Sequence, residues 1–96
     1  MFTSTAFVHI PTPAKYMVRL AKHFEHRIAV ERGDHHATFT FADGVCQAAA
    51  TEQSLNLTIE ATTAETLVRY QQVVTRHLKQ VAASEITFEV EWSRAA

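Results

Sequence analysis

The 96-residue chain has a single cysteine, two glycines and two prolines, and no surplus of either charge. Nine Lys and Arg stand against ten Asp and Glu, for a formal net charge of −1 with histidines neutral. Each shortage closes off a class of function. Cys46 alone can form neither an intrachain disulfide nor a CxxC zinc pair. Gly33 and Gly44, the only glycines, lie too far apart to build a phosphate-cradling loop. A nucleic-acid groove needs clustered Lys and Arg that outweigh the acids, and this balance lacks them. No apolar run approaches the roughly 20 residues that span a bilayer. Met1 to Ile10 has neither the basic start nor the apolar stretch of a secretory signal. The expectation is a cytoplasmic protein in a reducing compartment, with neither nucleic acid nor membrane as a partner.

What remains is an ordinary globular balance, 47% hydrophobic and 20% charged, well away from the disordered regime. A chain of this length buries roughly 60–70% of the surface exposed by its unfolded form, which suits one core and a single domain over residues 1–96. Six histidines are many for this length. Their full protonation would carry the formal charge from −1 to +5, so mild acid should alter solubility and self-association.

Hydrophobic periodicity places the elements. Thr3 to Ile10 alternates as a half-buried strand, with Ala6, Val8 and Ile10 on one face and Thr5, Phe7 and His9 on the other. Thr12-Pro13 reads as cap and first residue of a helix running to about His26, with Met17, Leu20 and Phe24 inward. Short strands follow at Ile28–Glu31, Ala37–Phe41, Val45–Thr51 and Leu55–Glu60. Gly33-Asp34 turns the first pair. Asp43-Gly44 is the strongest hairpin signal, both residues tolerating the positive φ of a two-residue turn. Thr62 and Glu65 have capping-box spacing for a second helix reaching about Ala82, with Leu67, Tyr70, Val74, Leu78 and Val81 inward. Ile86–Trp92 alternates as a last strand. The order β-α-β-β-β-β-α-β predicts an α+β two-layer sandwich, two helices on one face of a mainly antiparallel six-stranded sheet.

The two helices share a spacing. Tyr16, Leu20, Lys22, His23 and Phe24 match Tyr70, Val74, Arg76, His77 and Leu78 at a constant offset of 54 positions. Seven residues from Tyr to His is close to two turns, so each pair shares a flank beside the buried stripe. If the helices lie side by side, these flanks face one another across the seam.

Three readings compete for these residues. The plainest is packing: an imidazole beside a tyrosine satisfies buried polar atoms and sets the helix spacing. A second is a binding pocket lined by Tyr16, Arg19, His23, His26, Tyr70 and His77, with Arg19 suited to a carboxylate or phosphate. A third is a metal site with ligands His23, His26 and His77, three nitrogens plus water in the manner of open zinc sites. Against it, His26 lies about 60° around the wheel towards solvent, and no acidic outer-shell partner is evident. Elsewhere, Cys46 sits in an alternating strand and reads as core. Arg32-Gly33-Asp34 reads as a turn, and Trp92 as a core or interface anchor. His35 and His36 point to opposite faces of a strand and do not share a ligand.

The run Tyr16-Met17-Val18-Arg19-Leu20-Ala21-Lys22-His23-Phe24-Glu25-His26, the later His77-Leu78 and the closing Glu89-Val90-Glu91-Trp92 resemble a small bacterial family, domain of unknown function 2218. The resemblance spans nearly the whole chain. It departs at Ala21, where members often carry cysteine, and at Val81, where they often carry an aromatic, which weakens a cysteine–histidine metal site. The resemblance implies no reaction. Similar domains beside siderophore-interacting flavin reductases imply an iron or siderophore context. The combined expectation is a non-enzymatic accessory or ligand-binding module without a cofactor, taking a small molecule or protein partner and open to homodimerisation. A metal-binding protein is the alternative.

Overall fold

The computed structural model describes residues 1–82 and 86–94. Chain order is β1 (Phe2–His9), α1 (Pro13–Phe24), β2 (Ala29–Arg32), β3 (His36–Phe41), β4 (Gly44–Ala50), β5 (Ser54–Ala61), α2 (Ala64–Ala82) and β6 (Ser93–Arg94). This is the α+β sandwich read from the sequence. The sheet order is β2-β3-β4-β5-β1-β6, with every pair antiparallel. The N-terminal strand thus inserts between β5 and the C-terminal strand, a placement that periodicity alone does not reveal.

Both helices pack on one face, α1 over β2 to β5 and α2 over β5 and β1. Leu55, Leu57 and Ile59 of β5 form the floor beneath Met17 and Leu20 of α1 and Leu67, Val74 and Leu78 of α2, all fully buried. Small residues on β4 (Cys46, Ala48, Ala50) face α1 from the sheet. The other sheet face carries Thr5, Gln47, Thr58 and the 64% exposed Phe7. Strand alternation therefore separates the faces along β1, β4 and β5.

Local details depart from expectation at each punctuation point. Thr12 offers no side-chain cap; it lies in the left-handed region (φ 46°, ψ 59°), and Pro13 begins the helix without it. The following proline disfavours the α-region for Thr12. α1 stops at Phe24 rather than His26, with Glu25 as C-cap, and Ile28 N–H closes back on the Phe24 carbonyl. In the β3–β4 hairpin, Phe41 pairs with Gly44, so the turn residues are Ala42 and Asp43 rather than Asp43-Gly44, and neither has positive φ. Gly44 is required for a different reason: a Cβ there would strike the Glu60 carbonyl and come within 2.9 Å of the Tyr70 ring. The α2 cap is Thr63, whose hydroxyl accepts from Thr66 N–H at 3.1 Å. Thr62, expected in that role, instead donates its N–H to the Asp43 carbonyl and clamps the hairpin turn.

The largest departure is at the C-terminus. Ile86–Trp92 alternates in burial as expected, but it makes no ladder; only Ser93 and Arg94 pair, with Thr5 and Ser4 of β1. The inward side chains Ile86, Phe88, Val90 and Trp92 pack against the core, and Trp92 Nε1–H donates to Thr75 Oγ1 of α2 at 2.8 Å. The segment is held by its side chains on the helix before its backbone joins the sheet.

Candidate functional site

α1 and α2 lie side by side and antiparallel, Arg19 opposite Val81 and His23 opposite His77. The equal Tyr-to-His spacing brings the two imidazoles together, with ring centroids 4.7 Å apart and planes tilted by 43°. Phe24 lies beneath, 5.2 Å from His77 and 5.9 Å from His23. His77 Nδ1 is 2.7 Å from the Val73 carbonyl. A carbonyl only accepts, so Nδ1 carries the proton and donates, which fixes the ring against α2.

The tyrosines do not join the imidazoles. Tyr16 is 2% exposed, and its ring carries Lys15 Nζ at 5.3 Å and Arg19 Cζ at 5.5 Å. Such cation–π placement steers the Arg19 guanidinium from below. Tyr70 stacks on Phe41 at 4.5 Å and accepts the Asp43 N–H at 3.1 Å, serving the hairpin turn. Neither tyrosine lines the cleft at the seam.

That cleft, about 460 Å³, is lined by Arg19, Lys22, His23, His26 and Val81. Arg19 Nη1 donates to the Val81 carbonyl at 3.4 Å and ties α1 to the last turn of α2. Lys22, which the sequence reading did not place in the pocket, is part of the wall. The spacing 19, 22, 23, 26 is one helical stripe, so its inclusion was open to a reading by period. His26 reaches the cleft from the turn beyond α1 rather than from the helix.

The last turn of α1, with Lys22 and His23, and Val81 from the last turn of α2 border this cleft, and each helix carboxyl end is equivalent to roughly −0.5 charge. They favour some positive charge there. Arg19 and Lys22 stand in the wall, and Arg27 is close enough to act on His23. Burial first, then His77, Arg27 and His26, hold the His23 pKa below the ordinary 6.5. No Asp or Glu lines the cleft among the described residues.

The metal alternative draws no support from this geometry. Among the described residues, no three His, Cys, Asp or Glu side chains converge where a metal ion could be held. His77 is turned onto its own helix carbonyl, and His26 lies past the helix end. Cys46, the sole thiol, is wholly buried on β4, where burial pushes its pKa up to about 12 and removes it from nucleophilic chemistry. No helix among the described residues is long and apolar enough to cross a membrane.

No curated protein matches the chain. Among solved structures, the NMR structure of PA4090 from Pseudomonas aeruginosa is similar, with 29% identity and a TM-score of 0.81, covering 97% of this chain and 96% of that one. Residues 5–93, which include both helices, the histidine seam and Trp92, match the model of the family described as uncharacterized proteins conserved in bacteria (DUF2218), and the chain belongs to that family.

Proposed function

We propose that the protein is a non-enzymatic ligand-binding domain of the bacterial cytoplasm that holds a small anion, a carboxylate or phosphate, in the cleft at the α1–α2 seam. One observation carries the reading: of the five side chains lining the cleft, two are cationic and two are imidazoles. Cationic and imidazole side chains gathered in one lining attract a counter-charge from solution. A bound anion supplies it, with Arg19 and Lys22 as charged donors and His23 and His26 as donors when protonated. Carboxylate-rich iron chelators fall in this ligand class, and the siderophore context implied by the family resemblance would enter there.

The test is titration of the protein with inorganic phosphate and with citrate at constant ionic strength, following the imidazole proton resonances. Saturable shifts of His23 and His26 are expected, with a rise in melting temperature. At a ligand concentration of 100 times Kd the stabilisation is about 2.7 kcal/mol. Lys22→Gln and His26→Gln change exposed side chains and should leave the fold intact while weakening the shifts. Shifts that never saturate, or that are identical in the two variants, would remove the proposal.

A further inference from the structure

A second cleft lies on the opposite flank of α2, where the C-terminal segment crosses it. Its lining is Val68, Gln71, Gln72, Thr75 and Arg76 from α2, with Val90 and Trp92 from the segment, enclosing about 540 Å³. The helical residues recur at three- and four-residue steps, so they form one continuous wall. The segment supplies the other wall through its inward-facing alternate residues; Glu89 and Glu91 are exposed on the opposite side and do not line the cleft.

Both walls are fixed. Trp92 Nε1–H donates to Thr75 Oγ1 at 2.8 Å, which consumes the polar edge of the indole. Gln71 Nε2 donates to Ser4 Oγ at 2.7 Å, and Ser4 Oγ donates to the Ser93 carbonyl at 3.2 Å, anchoring the end of the segment to β1. The apolar part of the lining is Val68, 42% exposed, with Val90 and the Trp92 ring. Arg76 is the only charged residue of the lining, and it makes no ion pair among the described residues. A mostly apolar cleft of this size with a few fixed polar groups has the composition of a small-molecule site.

We propose that this cleft binds a small aromatic monocarboxylate. The ring lies against Val68, Val90 and the Trp92 indole, where an offset or edge-on aromatic contact adds to burial. The carboxylate pairs with the Arg76 guanidinium, whose planar fork matches two carboxylate oxygens. Gln72 supplies a neutral donor at the rim. One cation and no lining acid fit a single negative charge, and the short cleft fits a single ring better than a peptide.

Phenylacetate and its neutral counterpart phenylacetamide are the probes, because they differ only in the charged group. Trp92 is the sole tryptophan, so its indole N–H resonance reports from inside the cleft without assignment ambiguity. Phenylacetate should shift that resonance saturably, with Kd of about 0.1–1 mM for an open cleft. Phenylacetamide should bind about ten-fold more weakly, as should phenylacetate to Arg76→Gln. Lys22→Gln, at the anion cleft on the other side of α2, should leave the affinity unchanged. The inference is overturned by an indole resonance that does not move up to about 10 mM, a range well above that expected Kd. It is equally overturned by equal binding of acid and amide, by an Arg76→Gln variant that binds like the wild type, or by a loss of binding in Lys22→Gln. That last result would assign the acid to the seam, and would support the first cleft while removing the second.

Discussion

The flank of α1 and the flank of α2 carry the same spacing, Tyr16 to His23 and Tyr70 to His77, yet their four side chains have four different duties. Tyr16 is buried under Arg19, while Tyr70 has its hydroxyl on the Asp43 amide. His77 is bonded to its own helix through Val73, and His23 faces the cleft beside Arg19 and Lys22. A shared period fixes which flank a residue occupies. What the residue then does is decided by the neighbour across the seam, and the two helices meet different neighbours: α1 crosses the small-residue strand β4, and α2 runs over β1 and β5 towards the C-terminal segment.

The comparison predicts that the two tyrosines are unequal. Tyr16→Ala removes a large side chain from a site with almost no solvent contact and leaves a cavity that its helix and sheet cannot close. A loss of about 3–5 kcal/mol is expected in denaturant unfolding. Tyr70→Phe keeps the ring on Phe41 and deletes only the acceptor for Asp43 N–H. Because that turn is exposed, water can replace the hydroxyl, and the loss should be about 0.5–1.5 kcal/mol. For a domain of this size each kcal/mol corresponds to about 4–8 °C in Tm, so thermal melts separate the two variants. If Tyr70→Phe proved as damaging as Tyr16→Ala, the hydroxyl would have to hold more than the hairpin turn.

How much of this could be read in the chain follows the same division. Alternation along β1 and β5 and the 3.6-residue stripes assigned nearly every buried face, because burial is a property of period. The equal Tyr–His spacing placed the imidazole encounter. The strand order did not emerge, since insertion of β1 between β5 and β6 depends on pairing partners distant in sequence. Ile86–Trp92 shows the limit from the other side. Continuing the register that pairs Ser4 with Arg94 would set Trp92 beside Ala6 and Val90 beside Val8, all on the helix-facing side. The alternation therefore records which way these side chains face, and it records that equally well whether the backbone bonds to β1 or leans on α2. Gly44 was legible as special but for the wrong reason: sequence offers turn geometry, whereas the close approach of Glu60 and Tyr70 exists only in the packed structure.

The smallest effect is the one that sharpens the contrast between the histidines. Burial and the neighbouring His77, Arg27 and His26 depress the His23 pKa in the folded chain below its ordinary 6.5. As pH falls through that value, the unfolded chain takes up a proton before the folded one does, so the unfolded state is favoured and stability declines. The decline stops once pH has passed below the folded pKa and both states are protonated. His23→Gln should flatten that limb of the stability–pH curve. His77→Gln should shorten it without abolishing it, because only one of the neighbouring charges is removed. Bound phosphate should act in the opposite direction from the cationic neighbours, raising the His23 pKa and making phosphate affinity increase as pH falls. Urea unfolding at a series of pH values, with and without phosphate, measures all three. A wild-type curve with the same acid limb as His23→Gln would show that the charge around this imidazole is already screened by solvent, and the anion reading would lose its pH signature.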